Sequence, residues 1–435
     1  MKIAVVGTGH VGLVTAATLA RIGHVVVGFD DDRSKVDRLL AGKSPFYEPG
    51  LQELLDEASA SGRLTFTHDP QGAIRDAEVA FICVGTPSRP DGDVNLLAVE
   101  RAAGTIGENA IRDMVVVEKS TVPVQTADRV KTILQRTGRH RFSVVSNPEF
   151  LREGSAVADS LHPVRILVGA NDDEAHRVMR DLYEPLIRDS VVYHATDIST
   201  AELAKHACNA FLALKVSFAN ALARICEASG ADVVAVADIM GSDPRIGRAF
   251  LDAGLGYGGY CFPKDLAAFR AQATRLGYDF RLLDEIVRIN DQALESTFAK
   301  IKEAMWNLED KRIVLLGLSF KPGTDDVRES PPLRLAHLLV EAGARVIGYD
   351  PRAGANAKAE VADLEIFDDP YAAAEGAHCL VVCTEWPEFA ELDLVKLKGI
   401  LTNPIVVDAR NLFDPEVMAG AGFTYIPVGR PTVNL

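Results

Sequence analysis

Long aliphatic runs divide the first part of the chain into strands that are predicted to be buried on both faces. The segment between the first two runs, residues 13–22, has the pattern of a helix. The runs themselves lie at residues 2–6, 24–29, 79–85, 114–120 and 142–150. Continuous apolar strands are typical of parallel sheets covered by helices, so the pattern predicts a doubly wound α/β domain at residues 1–198.

The middle of the chain changes to a helical pattern. From Ser199 there is no proline or glycine until Gly230, and Ser199 with Glu202 fits a capping box. A helix of about 30 residues is long for a globular protein and is typical of one that joins domains or packs against a second subunit. The helical pattern resumes at residues 231–240 and again at 265–308. We therefore assign residues 199–309 to a central helical domain.

The last part of the chain repeats the outline of the first. The stretch GARVIGYD, residues 343–350, matches GHVVVGFD, residues 23–30, and further strands are predicted at 379–383 and 405–410. Residues 310–435 are therefore predicted to be a second domain of the same fold. The predicted architecture has two doubly wound α/β domains that a long central helix and a helical middle domain join.

Charge and cysteine content limit the class of partner. The chain has 435 residues and a net charge of −15, which argues against nucleic acid as the main partner. We expect no secretory signal and no membrane span, because no apolar run reaches roughly 20 residues. Six scattered cysteines do not form a disulfide framework, and Cys379 with Cys383 is expected to pack in a strand rather than bind a metal. We expect a soluble cytoplasmic protein without a metal site.

The first strand runs into a dinucleotide-binding fingerprint. Gly7, Gly9 and Gly12 form G-x-G-x-x-G between a predicted strand and helix, with Asp30 about 20 residues on. These glycines allow a tight turn, close approach of a pyrophosphate and close helix–strand packing, as in Rossmann folds. His10 and Val11 lie inside this loop, beside the cofactor.

The residue that closes the second strand selects the cofactor. Asp30 is expected to accept hydrogen bonds from the adenosine ribose hydroxyls. A carboxylate there repels a 2′-phosphate, which favours NAD over NADP. Lys35 would weaken this preference if it faced the ribose.

Polar residues follow the later strands of the first domain. Ligands of open α/β sheets bind beyond the carboxyl ends of the strands. The candidates for the nicotinamide end are Thr86, Thr121, Glu149 and Glu153. For each of them alone, a turn that ends a strand is an adequate explanation. Their shared position favours a site.

The stretch GLGYGGYCFPKD, residues 254–265, predicts a reactive cysteine. Pro263 suits the first turn of a helix, which places Cys261 at a loop-to-helix junction where a thiolate is favoured. Asp265 lies one turn further on, on the same face. Four glycines within six positions predict that backbone, substrate and cofactor come close together here.

Two polar residues of the long helix share a face. Lys205 and Asn209 are spaced i, i+4 among small apolar residues, and they are either simply exposed or part of a site. An NAD enzyme needs a cysteine when it takes a carbonyl to an acid: the thiolate adds to an aldehyde, the thiohemiacetal gives up hydride, and water hydrolyses the thioester. Lys205 and Asn209 suit oxyanion stabilisation. Asp265 and Glu149 suit proton transfer or water activation.

The last domain lacks the diphosphate glycines. Lys321 and Arg328 instead flank Asp325 and Asp326. We infer a nucleotide-like ligand held partly by cations, not a second dinucleotide.

The whole chain resembles the UDP-glucose/GDP-mannose dehydrogenase family. The motifs that carry the resemblance, in chain order, are GTGHVG, VGTPS, EKSTVPV, SNPEFLREGSAV, ELAKHACNAFLALKVSF, GYGGYCFPKD and GLSFKPGTDDVRESP. Members oxidise the C6 alcohol of a nucleotide sugar to a carboxylate with two NAD molecules and a covalent cysteine intermediate. The resemblance therefore implies an NAD-dependent enzyme that forms a homodimer through the middle helix.

The resemblance also implies roles for individual residues. Cys261 is the nucleophile; assisting it are Lys205, Asn209 and Asp265, with Thr121 and Glu149 near the reacting centre. Glu153, Lys264 and Arg328 lie towards NAD. Arg245 reaches the partner subunit's site. The sugar-nucleotide site consists of Glu149, Phe150, Leu151, Arg152, Glu153, Phe250, Leu251, Asp252, Ala253, Gly254, Gly258 and Lys321.

The substrate is expected to be UDP-glucose. REGSAVADSLHPVRILVG and Cys-Phe-Pro-Lys-Asp resemble the UDP-glucose branch, whereas GDP-mannose enzymes commonly have Cys-Leu-Pro-Lys-Asp. The N-acetylmannosamine branch usually lacks the Lys-Asp pair. At Tyr260 many relatives have serine. The alternatives are GDP-mannose or another nucleotide sugar, and a non-catalytic NAD-binding regulator, which would be expected to lack Cys261, Lys205 or Asp265.

Overall fold

A computed structural model describes residues 1–434. The chain forms two compact α/β units. The first contains Met1–Cys208 with Ala267–Tyr278, and the second contains Asn209–Leu266 with the chain from Asp279 onward. The predicted fold class, with parallel Rossmann-like sheets, is confirmed. The division into three domains at residues 198 and 309 stays a prediction.

The first unit is built on an eight-stranded sheet. The strands are β1 (Lys2–Val6), β2 (Val25–Phe29), β3 (Leu64–Thr67), β4 (Val79–Ile82), β5 (Met114–Glu118), β6 (Phe142–Ser146), β7 (Arg165–Ala170) and β8 (Val192–Thr196). Their order is β3-β2-β1-β4-β5-β6-β7-β8, and neighbours are parallel except for β6 and β7. The carboxyl ends of β1 to β6 therefore meet along one edge, where ligands of such sheets bind.

Helices cover both faces of this sheet. They are α1 (His10–Arg21), α2 (Arg33–Leu40), α3 (Leu51–Ala60), α4 (Pro70–Ile74), α5 (Leu97–Asn109), α6 (Thr126–Thr137), α7 (Ala156–Leu161) and α8 (Asp173–Arg188). Two apolar cores form, one on each side of β1. The core on one side contains Ile3 and Val5 with Leu13, and the other contains Ala4 and Val6. This alternation explains why β1 is apolar at consecutive positions.

The predicted boundaries in this unit were partly wrong. Helix α1 begins at His10 rather than at residue 13, so the last fingerprint glycine lies inside the helix. The predicted strands at 79–85, 114–120 and 142–150 end two to four residues early, because their polar ends leave the sheet as loops.

A single helix, α9 (Ile198–Ser229), contains 32 residues and confirms the predicted long helix. The predicted capping box was wrong, because Ser199 lies inside the helix. Asp197 takes the capping role, accepting hydrogen bonds from Thr200 N at 2.9 Å and Thr200 Oγ1 at 2.6 Å. Glu202 instead caps α6, accepting from Gln125 N at 2.8 Å and Ala127 N at 3.0 Å. Glu202 thus makes a long-range contact with the start of α6 instead of the predicted local contact with Ser199.

Three further helices follow α9: α10 (Val233–Gly241), α11 (Cys261–Arg275) and α12 (Arg281–Met305). The predicted helical stretch at 265–308 is therefore two helices. Gly277, with φ +80°, lies in the break between them, a conformation that glycine adopts without strain.

The second unit contains a six-stranded parallel sheet. Its strands are β9 (Arg312–Leu316), β10 (Arg345–Tyr349), β11 (Glu365–Ile366), β12 (Cys379–Val382), β13 (Ile405–Asp408) and β14 (Thr424–Pro427). The order β11-β10-β9-β12-β13-β14 repeats that of the first six strands of the chain. The predicted repeat is therefore confirmed, down to an aspartate after the second strand of each sheet, Asp30 and Asp350.

Six short or medium helices complete this unit. They are α13 (Pro331–Glu341), α14 (Gly354–Glu360), α15 (Pro370–Ala374), α16 (Pro387–Ala390), α17 (Leu394–Ile400) and α18 (Pro415–Ala421). Cys379 and Cys383 are fully buried at β12, as the packing interpretation predicted, and burial raises the pKa of Cys379 to about 12. Within residues 1–434, no helix is both long and apolar enough to cross a membrane.

Candidate active site

The glycine loop after β1 has the shape that a pyrophosphate requires. A Cβ at Gly7, where φ is +95°, would lie 2.7 Å from the carbonyl oxygen of Cys83, and a Cβ at Gly12 would lie 1.9 Å from that of Gly7. Protein packing therefore requires both glycines. At Gly9, in contrast, no atom lies within 4 Å of an added Cβ. The open space at Gly9, at the start of α1, is where a dinucleotide pyrophosphate fits.

Asp30 follows β2 and is buried. Its Oδ2 accepts hydrogen bonds from Thr8 N at 2.7 Å, Thr8 Oγ1 at 2.9 Å and Lys35 Nζ at 2.8 Å, and its Oδ1 accepts one from Asp32 N at 3.1 Å. Burial alone would raise the pKa of Asp30, but the hydrogen bonds from Lys35, Thr8 and Asp32 outweigh it and lower the pKa. The carboxylate is therefore ionised, as recognition of a ribose hydroxyl requires. Lys35 pairs with it.

Hydrogen bonds hold the strand-end candidates Thr86 and Glu149 of the first unit. Thr86 Oγ1 donates to the carbonyl oxygen of Thr121 at 3.1 Å. Lys205 Nζ donates to Glu149 Oε1 at 3.1 Å, and the Lys205 side chain is only 4% exposed. The alternative that Lys205 is simply exposed is wrong. A lysine and a carboxylate held together out of water are suited to exchange a proton or to stabilise a developing charge.

The turn after Glu149 is tightly organised. Leu151 N donates to Glu149 Oε2, while Arg152 binds Asp159 with both Nε, at 2.9 Å, and Nη2, at 2.6 Å. The Lys205 ammonium lies 5.3 Å from the centre of the Phe150 ring. The sequence placed these residues in the sugar-nucleotide site; the structure shows that the Arg152 side chain is engaged with Asp159 on the surface.

Sequence reasoning missed a buried lysine next to this set. Lys119 Nζ donates to the Asn147 side chain at 3.1 Å and to its carbonyl oxygen at 3.3 Å. Burial lowers the pKa of Lys119 to about 8, although Cys83 and Glu149 raise it. The available signal was its place in EKSTVPV, directly after a buried strand.

The second unit carries the other polar cluster. Asp265, almost fully buried, accepts hydrogen bonds from Asn209 Nδ2 at 2.6 Å and from Lys264 Nζ at 2.6 Å. Asn209 is 6% exposed, so it too is not simply a surface residue. Cys261 is the first residue of α11 and is partly buried. The structure places Cys261 at a helix start, as predicted, and activation of its thiolate by the helix dipole stays a prediction.

The glycines before Cys261 are required mainly by protein packing. An added Cβ would lie 2.5 Å from Ala409 O at Gly254, 2.8 Å from Asn290 Oδ1 at Gly256, and 2.3 Å from Glu329 O at Gly258. At Gly259 it would lie 2.7 Å from the Phe320 ring. Protein atoms therefore occupy the space that a Cβ would need at each of these glycines, and the close approach of substrate and cofactor to this loop stays a prediction.

The remaining sequence candidates of this unit lie in loops. Gly254 N donates to Asn220 Oδ1 at 2.8 Å, which fixes the end of the 250–254 segment. Arg328 pairs with Asp326 and lies 4.4 Å above the Tyr260 ring. Lys321 Nζ lies 5.5 Å from the centre of the Phe320 ring.

Arg245 is not brought together with the other candidates of the second unit. Its side chain is exposed and pairs with Asp243.

A Rossmann sheet with a dinucleotide loop, together with a cysteine at a helix start beside a buried carboxylate, defines an NAD-dependent dehydrogenase. Residues 1–187 match the NAD binding domain of the UDP-glucose/GDP-mannose dehydrogenase family, residues 199–292 match its central domain, and residues 314–415 match its UDP binding domain. The chain belongs to this family, as the resemblance of its motifs predicted.

Individual relatives are similar along their whole length. A UDP-glucose 6-dehydrogenase of Bacillus subtilis is 44% identical over 440 residues, covering 100% of this chain and 94% of the relative. One from Pseudomonas aeruginosa is 43% identical, covering 99% and 98%. The solved structure of a UDP-glucose dehydrogenase from the archaeon Pyrobaculum islandicum is 38% identical with a TM-score of 0.92, covering 99% and 98%.

Proposed function

We propose that this chain oxidises the C6 hydroxyl of UDP-glucose to a carboxylate, giving UDP-glucuronate and two NADH per sugar. The observation that carries the chemistry is the placement of Cys261 at the first position of α11, with Asp265 one turn later bound to Asn209 and Lys264. A plain alcohol dehydrogenase needs no such thiol. The similarity to enzymes named UDP-glucose 6-dehydrogenase supports the choice of sugar nucleotide.

The proposed chemistry has two oxidations separated by a covalent step. Each oxidation removes a hydride from C6 and a proton from the hydroxyl oxygen that C6 carries, and bound NAD would accept the hydride. The Cys261 thiolate adds to the aldehyde carbon, which gives a thiohemiacetal and, after the second oxidation, a thioester. Water then breaks the carbon–sulfur bond, releasing the carboxylate and returning the thiol. The balance is one water consumed and two hydrides removed per sugar.

The polar residues divide this work. Lys205 and Asn209, on successive turns of α9, stabilise the oxyanion that forms at each addition. Asp265 and Glu149, both nearly buried carboxyl groups, move protons and activate the water, with Thr121 near the reacting centre. The pairing of Glu149 with Lys205 and of Asp265 with Asn209 and Lys264 supports these roles.

The ligand-binding residues are proposed from the family resemblance. NAD is bound by the glycine loop with His10 and Val11, by Asp30 with Lys35, and by Thr86, Thr121, Glu153, Lys264 and Arg328. UDP-glucose is bound by residues 149–153 and 250–254 together with Gly258 and Lys321. The match to the UDP binding domain of the family supports this assignment for the last part of the chain.

NADH formed per sugar consumed tests the proposal. Wild type, Cys261→Ser and Cys208→Ser are each given UDP-glucose or GDP-mannose, with absorbance and product analysis. Cys208 is the matched control because it is the other cysteine that is not fully buried. We expect two NADH and a uronic acid from UDP-glucose with wild type and Cys208→Ser, and loss of turnover in Cys261→Ser.

The other outcomes separate the alternatives. Preference for GDP-mannose would keep the chemistry and reject the substrate. One NADH with an aldehyde product and an unaffected Cys261→Ser variant would reject the thioester mechanism. NAD binding without oxidation of any nucleotide sugar would favour a regulatory protein.

An apolar stripe on α9 supports a homodimer, which we propose as the working form. Phe211, Phe218 and Ile225 are spaced by seven residues, so they share one helix face, and they are 62%, 47% and 62% exposed. A stripe of this kind is self-complementary across a two-fold axis, so the proposed occupant is a second copy of α9. Arg245 would then reach the partner subunit's substrate site.

The size of the particle in solution tests the dimer. We expect Phe218→Asp to shift the mass measured by light scattering from twice that of the chain to that of one chain. Val395→Asp, at a more exposed valine of α17, should leave the mass unchanged. A monomeric wild type would reject the proposal. The six cysteines, which lie within the described residues, form no disulfide with one another, which supports a reducing, cytoplasmic location.

A further inference from the structure

Glu48 is a buried carboxylate that contacts both the cofactor loop and the turn after Glu149. Glu48 belongs to the segment between α2 and α3, and its side chain is fully buried. Its Oε2 lies 3.0 Å from His10 Nε2 and accepts a hydrogen bond from Gly154 N at 2.8 Å. Its Oε1 accepts a hydrogen bond from Ala156 N at 2.7 Å. One carboxylate therefore contacts two separate pieces of the first unit.

The first of these pieces is the cofactor loop. His10 is the first residue of α1, between the fingerprint glycines, and its backbone belongs to the helix start that receives the pyrophosphate. Its ring stacks on Phe46, with centroids 4.6 Å apart and planes at 20°. Phe46 and Glu48 thus fix the His10 side chain from one segment, and with it the first turn of α1.

The second piece is the turn that follows Glu149. Gly154, with φ +80°, and Ala156 end this turn, and both of their N–H groups bind the Glu48 carboxylate. In the sheet, β4 and β5 lie between β1, which leads to His10, and β6, which leads to Glu149. Glu48 therefore joins two loops that the sheet holds two strands apart.

The segment that carries Glu48 is itself anchored. Gln52 of α3 accepts a hydrogen bond from Ser44 N at 3.0 Å and donates one to the carbonyl oxygen of Gly42 at 2.7 Å. Since the segment is held at its start and continues directly into α3, Glu48 is a fixed point against which both loops are placed.

We propose that Glu48 is a positioning residue for NAD: it fixes the first turn of α1 relative to the turn after Glu149. Glu48→Gln keeps the size of the side chain but removes the charge and one acceptor. We expect the Kd of NAD, measured by titration calorimetry on the full chain, to rise about tenfold, as expected for loss of a charge-assisted contact. His10→Phe keeps the stacking on Phe46 and loses the contact with Glu48, and the Kd of NAD for this variant should rise about threefold. In the double variant, the Kd of NAD should be no more than about twofold higher than in Glu48→Gln alone.

The matched control is Glu202→Gln. Glu202 is also a buried carboxylate that accepts two backbone N–H groups beside a helix start, but it does so at α6. The Glu202→Gln variant should have a lower midpoint of thermal unfolding, as Glu48→Gln does, but its Kd for NAD should stay within twofold of wild type. If Glu48→Gln behaves in the same way, Glu48 is a structural cap and the proposal is overturned. If Glu48→Gln does not fold, an unchanged Kd in His10→Phe overturns it.

A second readout separates the two loops, and it rests on the proposed role of Glu149. Glu48→Gln should lower kcat for UDP-glucose, whereas His10→Phe, which keeps both bonds to the turn, should raise KM for NAD with a smaller loss of kcat. An equal loss of kcat in both variants would contradict separate anchoring of the loops. A wild type that binds NAD but does not oxidise UDP-glucose would reject the proposed function and leave the calorimetric test in force.

Discussion

Asn209 donates a 2.6 Å hydrogen bond from Nδ2 to Oδ2 of Asp265, and both residues are almost completely buried. The other oxygen of Asp265 accepts from Lys264. Asp265→Asn would place an amide N–H against one of these donors and leave the Lys264 ammonium without its carboxylate. We expect kcat to fall by about 10²- to 10⁴-fold, the range for loss of a general acid–base group, with less change in KM.

A structural carboxylate provides the control for Asp265. Asp408 is fully buried and accepts hydrogen bonds from Tyr425 Oη at 2.8 Å and Phe413 N at 3.0 Å. Asp408→Asn should lower thermal stability and leave kcat per folded molecule within about twofold of wild type. Equal losses of kcat in both variants would mean that Asp265 acts only by holding the fold together.

The glycine loop offers a pair of alanine substitutions with opposite effects. Gly9→Ala places a methyl group in open space, so folding should be unaffected, but the group occupies the position expected for the pyrophosphate. We expect the Kd of NAD to rise more than tenfold without a change in the unfolding midpoint. Gly12→Ala collides with the Gly7 carbonyl and should destabilise the fold by about 2 kcal/mol or more. Tight NAD binding by Gly9→Ala would place the pyrophosphate elsewhere.

Alkylation should distinguish Cys261 from the other cysteines. Burial raises the pKa of Cys83 and of Cys379 to about 12 and raises those of Cys226 and Cys383, so these thiols should react slowly at pH 8. We expect iodoacetamide to modify Cys261 first, as read by peptide mass spectrometry. NAD with UDP-glucose should slow this reaction. Labelling of Cys208 ahead of Cys261 would contradict activation by the start of α11.

Glu202 should give the stability of the chain a defined pH dependence. Burial raises the pKa of Glu202 from 4.5 to about 7, although the N–H groups of Ala127 and Gln125 lower it. Between these pH values the unfolded chain has released the proton and the folded chain still holds it, so stability falls as pH rises. The free energy of unfolding should drop by about 3 kcal/mol across this window relative to Glu202→Gln.

Urea unfolding of both proteins at intervals from pH 4.5 to 8 measures this difference. The comparison uses the change with pH, because the variant also loses one acceptor at every pH. A constant difference between the two proteins would show that folding does not change the pKa of Glu202. If the stability of wild type relative to the variant instead rises with pH, folding lowers the pKa of Glu202 and the expectation is wrong.

The sequence predicted the parts of the fold that local signals define. β1, α1 and β2 follow from two apolar runs and a glycine fingerprint, and α9 follows from 32 residues without proline or glycine. The strands β3 and β8 were missed because they are short and lie at the edges of the sheet, where exposed polar side chains interrupt the apolar pattern. The two-residue strand β11 has no recognisable pattern.

The candidate site was harder to predict because its contacts join distant positions. Lys205 and Glu149 are 56 residues apart, and so are Asn209 and Asp265, so only a folded chain shows which acid pairs with which donor. Glu48 and Gly154 are 106 residues apart. Cys261 was found because its signal, a helix start with proline at the third position, is local.

The aspartate after the second strand of each sheet limits how the second unit could be re-engineered. Asp350 Oδ2 accepts hydrogen bonds from Leu318 N, Ser319 N, Ser319 Oγ and Trp386 Nε1, and Oδ1 accepts from Arg352 N and Ala353 N. Six protein donors thus surround Asp350, against four around Asp30, its counterpart in the first unit, which is expected to hold a ribose. Thr8 Oγ1 donates to Asp30 as Ser319 Oγ donates to Asp350, so the serine hydroxyl can stay. A designer who wished to install a dinucleotide site on this sheet would have to remove the Trp386 indole as well as add glycines. Restoring the fingerprint alone would leave this indole on the carboxylate.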